Sequence, residues 1–248
     1  AGVPVIVAVV MSAYYARDTM SSVFQVVSGG NNLSEPDTLL MVLTFVFSVV
    51  AQLFVAGLIP AYMAEYETKG KDGFQADDVW QRFAGYFAGI AGYGILSSLI
   101  VIVGFLVLFF PGVYLSVPMA FVLYVLVIED RKGKSLFKRS FGLVRNQWWK
   151  TFGIILLAYL ILAIVAGLFS LPSVIVGAVE GFLVGSGQKE SMEPNSLAII
   201  LTTIFSGLGQ YLLYAGLYVV VAFQYYSLRE QKDGDRLMEK VSAIKEDE

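Results

Sequence analysis

The longest stretch without a charged residue, residues 83–128, constrains the fold more than any other feature. It holds 46 residues, and one membrane-spanning helix needs about 20 apolar residues, so this stretch predicts two spans. The helix-breaking pair Pro111 and Gly112 predicts the turn between them, on the outer side of the membrane. No segment alternates as a membrane β-barrel strand does, and lipid-exposed backbone must satisfy its own hydrogen bonds, so the spans are predicted to be helices.

The composition agrees with a membrane protein. Hydrophobic residues make up 57% of the chain and charged residues 15%, whereas a soluble domain is about 25% charged. The sequence predicts an all-α fold, a polytopic membrane bundle of about six transmembrane helices with amphipathic interfacial helices on the cytoplasmic side. Residues 1–228 are predicted to form one domain, and residues 229–248 a cytoplasmic tail. The predicted spans are residues 1–16, 38–64, 83–110, 113–128, 151–179 and 196–226, and Pro172 could break the fifth.

The positive charges predict the orientation. Of the 17 Lys and Arg residues, 15 fall in residues 65–82, 129–150 and 229–248, which the predicted spans place on one side. Only Arg17 and Lys189 fall on the other side. Cytoplasmic loops are enriched in Lys and Arg, so both termini are predicted to be cytoplasmic.

Two loops look like copies of one unit. The tripeptide Lys-Gly-Lys occurs at 69–71 and again at 132–134, 63 residues later, each time after a predicted span. Each copy is followed by a segment that brings aromatic residues to the start of the next span. The alternatives are internal duplication, which is found among transporters, and chance.

Residues 135–152 predict an amphipathic helix. The apolar positions Phe137, Phe141, Val144, Trp148 and Phe152 follow helical spacing, and most of the cations lie off that stripe. Such a helix lies in the headgroup plane, where it either only anchors the loop or docks an anionic lipid headgroup or a soluble partner. The candidate interface residues are Lys132, Lys134, Lys138, Arg139, Arg145, Trp148 and Trp149.

Residue types exclude several kinds of chemistry. The chain contains no His and no Cys, which removes Ser-His catalysis and the commonest ligands of zinc and iron–sulfur sites. The sequence therefore predicts no catalytic residue, no metal site and no cofactor. Glu65 and Glu129 lie at predicted membrane edges, where they either bind a cation or a partner Arg or simply end a helix.

One region resembles a known family. Phe110-Pro111-Gly112-Val113-Tyr114-Leu115, then Glu129, then residues 137–149 resemble the membrane domain associated with glycerophosphoryl diester phosphodiesterases. The resemblance implies a six-helix inner-membrane protein of bacteria, with a further amphipathic helix ahead of residue 1. It does not carry the phosphodiesterase activity, because the chain lacks the metal-binding residues of the soluble catalytic barrel.

These observations favour a non-enzymatic membrane module, a scaffold or accessory subunit of a membrane complex or envelope process. The alternative is a small transporter or lipid-handling protein. The expected partners are anionic membrane lipids and either other membrane proteins or a second copy of the chain. No nucleic-acid partner is expected.

Overall fold

The computed structural model describes residues 5–11, 38–71, 73–188 and 197–246, with side chains described except at 40, 199 and 235–246. Helices contain 91% of these residues, and no strand occurs among them. The predicted all-α fold is confirmed.

Eight helices follow one another along the described chain. α1 covers residues 5–11. The others are α2 (Thr38–Lys69), α3 (Ala76–Val107), α4 (Phe109–Met119), α5 (Val122–Ile128), α6 (Gly133–Val144), α7 (Trp148–Gly185) and α8 (Leu197–Glu246).

Five segments of the described chain are long and apolar enough to cross a membrane, which makes this a membrane-type helical bundle. Of the predicted first span, residues 5–11 are helical and the rest lie outside the described residues. The five segments are Met41–Lys69, Ala76–Val107, Phe109–Ile128, Trp148–Gly185 and Ile200–Gly234.

The predicted turn at Pro111 and Gly112 is misplaced by three residues. The break between α3 and α4 is at Leu108, whose backbone is extended (φ −162°, ψ 151°), and Pro111 and Gly112 lie in the first turn of α4. A proline ring clashes with the carbonyl four residues earlier, which here belongs to Val107, the last residue of α3. The first turn of a helix tolerates proline because its N–H groups have no partner within the helix.

The predicted break at Pro172 does not occur. α7 continues through Pro172 as one helix of 38 residues. Proline is tolerated inside transmembrane helices because neighbouring groups re-satisfy the freed backbone. The segment after Pro172 is therefore part of α7 rather than a re-entrant piece.

The described chain divides into two compact units. Unit 1 consists of Ala1–Val55 and Leu160–Ala215. Within it, the hydroxyls of Ser173 and Ser206 lie 2.8 Å apart, and the rings of Phe169 and Phe205 are 5.4 Å apart. A Cβ atom at Gly209 would lie 2.4 Å from the ring of Phe169, so this glycine permits the close approach of α7 and α8.

Unit 2 consists of Ala56–Tyr159 and Gly216–Glu248, and α5 forms its core. Nearly every side chain of α5 is buried, as expected of a helix surrounded by protein. The ring of Tyr225 in α8 stacks on Tyr124 of α5, with centroids 5.7 Å apart. α3 and α4 form a hairpin in which a Cβ atom at Gly104 would lie 3.0 Å from the Cα of Gly112.

Candidate functional site

Glu129 and Arg139 form a buried ion pair in unit 2. The guanidinium Nε of Arg139 lies 2.9 and 3.0 Å from the two carboxylate oxygens of Glu129. Tyr225 of α8 donates its hydroxyl to the same carboxylate at 2.9 Å, and the Nε of Arg131 lies 2.8 Å from it. Three partners therefore neutralise and hold this carboxylate, although only 8% of its side chain is exposed.

The network continues into α8. Arg139 Nη2 lies 3.3 Å from Asp233, and Arg229 lies 3.8 Å from the same Asp233 and 2.9 Å from Glu67 of α2. Burial alone lowers the pKa of Arg139, but the hydrogen bonds and charges of Glu129 and Asp233 outweigh it and raise the pKa above its ordinary value. Arg139 is therefore always charged.

A second buried carboxylate, Glu65, lies near the end of α2. Arg82 of α3 donates to it at 2.5 Å, and the Nζ of Lys69 lies 3.0 Å from its other oxygen. Lys69 also pairs with Asp78 at 2.8 Å. Glu65 is 5% exposed, so this pair joins α2 to α3 in an environment that excludes most water.

We refer to these two clusters together as the charged end of unit 2. Its members are Glu65, Glu67, Lys69, Arg82, Glu129, Arg131, Arg139, Arg229 and Asp233. Each of the two buried carboxylates is paired with an Arg from another helix, so the pairs act as structural cross-links between helices. Among the described residues, no group of three or more acidic side chains is placed to hold a metal ion.

The predicted amphipathic helix is wrong in length. It was expected to run through Phe137, Phe141 and Trp148, but α6 ends at Val144 and Trp148 begins α7. The face of α6 that is buried packs against α4 and α5. Its buried side chains are Leu136, Arg139, Ser140, Leu143 and Val144.

Arg139 does not face the headgroups as predicted. It lies with Ser140 on the buried face of α6 and is 8% exposed. Ser140 donates its hydroxyl to the backbone carbonyl of Pro118 in α4. α6 is therefore fixed to the rest of unit 2 through this face.

Other predicted cations lie at the surface. Lys132 lies 3.6 Å from Asp130 and 5.9 Å from the centroid of the Tyr86 ring, and Lys134 is exposed. Lys138 lines a cleft of about 360 Å³, the basic cleft. The lining residues of the basic cleft are Arg131, Ser135, Lys138, Arg139, Gly142 and Lys232.

A second cleft, of about 920 Å³, is lined by Trp148, Trp149 and Arg145 among others. We refer to it as the aromatic cleft. Trp148 donates its indole N–H to the carbonyl of Tyr114 at 3.1 Å. The lining residues are Phe109, Phe110, Val113, Tyr114, Arg145, Asn146, Gln147, Trp148, Trp149, Lys150 and Phe152.

The aromatic cleft brings together two segments that were predicted on opposite faces of the membrane. These are the turn before α4 and the aromatic start of α7, and residues of both line this one cleft.

Ten residues of the charged end, the basic cleft and their contacts had not been predicted as functional. For the four from α8, the cluster of tyrosines and charges after the last apolar run marks their position in the sequence. The ten are Glu67, Lys69, Arg82, Arg131, Ser135, Gly142, Tyr225, Arg229, Lys232 and Asp233.

Comparisons with known proteins give one match. A family profile described as a domain of unknown function, DUF7847, matches residues 73–228, which is more than half of the chain. No curated protein sequence and no solved structure matches the chain. The matched region contains the whole Glu129–Arg139 pair and all of α3 to α7. The chain belongs to the DUF7847 family.

Proposed function

We propose that this chain is a non-enzymatic integral membrane module that acts as a scaffold or accessory subunit of a membrane complex or envelope process. The charged end of unit 2 is the observation that carries this proposal. Each of its two buried carboxylates is paired with an Arg side chain of another helix, which makes the pair a cross-link between helices. The same cross-links join α2, α3, the loop after α5, α6 and α8 into one platform.

Cations on this platform support a docking role. Lys132 and Lys134 are exposed beside the buried pair, and exposed charges govern partner choice and association rate more than affinity. The proposed partners are the acidic face of another membrane protein or of a second copy, together with anionic lipids. No nucleic acid is proposed as a partner.

A site-specific cross-link tests the scaffold function. A photoreactive residue at Lys134 in the full chain, expressed in native membranes, is expected to give one cross-linked product of constant size. The same residue at Ser186, in the turn after α7, serves as the control and is expected to give none. Charge reversal by K132E should remove the product. An uncross-linked chain migrating alone on native gels contradicts the proposal.

We further propose that the protein lies in the bacterial cytoplasmic membrane with its charged end in the cytoplasm. The 15 of 17 Lys and Arg residues in three segments support this orientation. The chain has no Cys, so S186C should react with an impermeant thiol reagent in spheroplasts, and G234C only after permeabilisation. The reverse pattern would overturn the orientation. The cytoplasmic N-terminus and the phosphodiesterase-associated resemblance stay predictions.

The aromatic cleft favours a second function, lipid handling. Its volume of about 920 Å³ lies within the usual range for small-molecule sites, and it combines aromatic walls with Arg145 and Lys150. The exposed Trp149 can be changed to Ala without removing a buried group. If the chain moves lipid, W149A should slow transfer of a fluorescent phospholipid between vesicles. Equal transfer with and without the protein removes this function.

A further inference from the structure

The basic cleft has the dimensions and donors of a small anion site. Its volume is about 360 Å³, near the lower limit for ligand pockets. Three segments contribute cations to it: Arg131 from the loop after α5, Lys138 and Arg139 from α6, and Lys232 from α8. A Cβ atom built at Gly142 would meet nothing within 4 Å, so the cleft is open along that part of α6.

The charges around the cleft do not balance. Its four cations face two neighbouring carboxylates, because Glu129 pairs with Arg131 and Arg139 and Asp233 pairs with Arg139. Lys138 and Lys232 make no ion pair within the described part of the chain. No carboxylate of the described residues therefore balances these two lysines, and a bound anion would be attracted by both.

Arg139 also offers donors that the protein leaves unused. Its Nε bonds to Glu129 and its Nη2 to Asp233, whereas Nη1 has no hydrogen-bond partner among the described residues. An Arg side chain carries five N–H donors in a rigid plane. The two carboxylates hold that plane in place, and burial strengthens any further bond that it makes to an anion.

We propose that the basic cleft binds a phosphate monoester group. A monoester carries about 1.5 to 2 negative charges at neutral pH, which matches the two uncompensated lysine charges, whereas a phosphodiester carries one. The phosphate can come from the headgroup of an anionic lipid or from a soluble phosphorylated compound. This site goes beyond the scaffold function and does not depend on a protein partner being found.

Native mass spectrometry of the full chain in detergent tests the site. The probes are phosphatidic acid, whose headgroup is a phosphate monoester, and phosphatidylcholine, a phosphodiester without net charge. We expect one phosphatidic acid to bind at least tenfold more tightly than phosphatidylcholine. Because each nearby cation contributes about 1 kcal/mol, the double variant K138Q/K232Q should bind phosphatidic acid about 30-fold more weakly.

A matched variant controls for loss of charge alone. K71Q matches the single variant K138Q in charge, because each removes one exposed lysine, but Lys71 does not line the cleft. K71Q should bind phosphatidic acid as the parent chain does, whereas K138Q should bind it about fivefold more weakly. Competition by millimolar inorganic phosphate would assign the site to a soluble phosphate, and absence of competition would assign it to the lipid headgroup. Equal binding by the parent and K138Q/K232Q, or equal binding of the two lipids, overturns the site.

Discussion

Glu65 and Glu129 are both buried carboxylates at the end of an apolar helix, and each is held by an Arg from the helix that follows. Their surroundings differ. The side chain of Arg82 is 24% exposed, and Glu65 is bound by Arg82 and one lysine. The side chain of Arg139 is 7% exposed, and Glu129 is bound by Arg139, Arg131 and Tyr225. The first pair joins two neighbouring helices, and the second also reaches α8 through Asp233. The same acid–arginine motif thus serves as a local tie in one place and as the centre of a network in the other.

The two loops share a backbone feature as well. Gly70 and Gly133, the central residues of the two Lys-Gly-Lys tripeptides, have φ angles of 76° and 60°. Positive φ is accessible to glycine at little cost. The shared conformation is compatible with an internal duplication, which stays a prediction.

R139A should cause the largest loss of stability. Removing the guanidinium leaves Glu129 buried with fewer partners, and breaking a buried pair from one side costs about 3–5 kcal/mol. We expect a loss near the lower figure, because Arg131 and Tyr225 remain. Unfolding of the full chain in mixed micelles, followed by tryptophan fluorescence, measures it. A loss under about 1 kcal/mol would contradict the buried geometry.

R82A should have a smaller effect, about 2 kcal/mol. A hydrogen bond to a charged group contributes about 1.5–3 kcal/mol, and Lys69 remains 3.0 Å from Glu65. The same unfolding measurement applies, with the exposed K71A as its control. If R82A lowers the free energy of unfolding more than R139A does, the ranking of the two sites is reversed.

Y225F tests the tyrosine hydrogen bond to Glu129, a contact that only the second of the two buried carboxylates has. The change removes the hydroxyl that donates to Glu129 at 2.9 Å but keeps the ring that stacks on Tyr124. We expect a loss of about 1.5 kcal/mol. A double variant Y225F/R139A should lose less than the sum of the single losses, because both groups bind one carboxylate. Additive losses would mean that the groups act independently.

K69Q should leave the melting temperature unchanged within error. The side chain of Lys69 is 41% exposed, and exposed ion pairs contribute little because water and salt screen them. Thermal unfolding at low and high salt measures this. A clear drop would show that Lys69, rather than Arg82, dominates the first site.

The sequence predicts the helices well because their signal is local. The uncharged window at residues 38–64 became α2, Thr38–Lys69, since about 20 apolar residues in a row leave a helix few alternatives. The break at Leu108 could also have been predicted from the local sequence. It required counting back four residues from Pro111 to the carbonyl that the ring displaces, rather than placing the turn at the proline.

The site was not predictable in the same way. Arg139 is one of seven cations in residues 129–150, and helical spacing alone did not show that it is buried while its neighbour Lys138 is exposed. Its partner Asp233 is 94 residues away. No local pattern links two residues at that separation, because the link is made by the packing of α6 against other helices. The sequence alone therefore predicts a lipid-facing anchor here, and the structure shows the buried face of α6.

The order of synthesis gives the network one more consequence. α8 is the last described helix to leave the ribosome, and it supplies Tyr225, Arg229 and Asp233. Until it arrives, Glu67 lacks its partner Arg229. Glu129 lacks Tyr225, and Arg139 lacks Asp233. Unpaired charges of this kind are unfavourable beside a membrane interior. A chain released before α8 is complete would thus expose an unsatisfied charged surface.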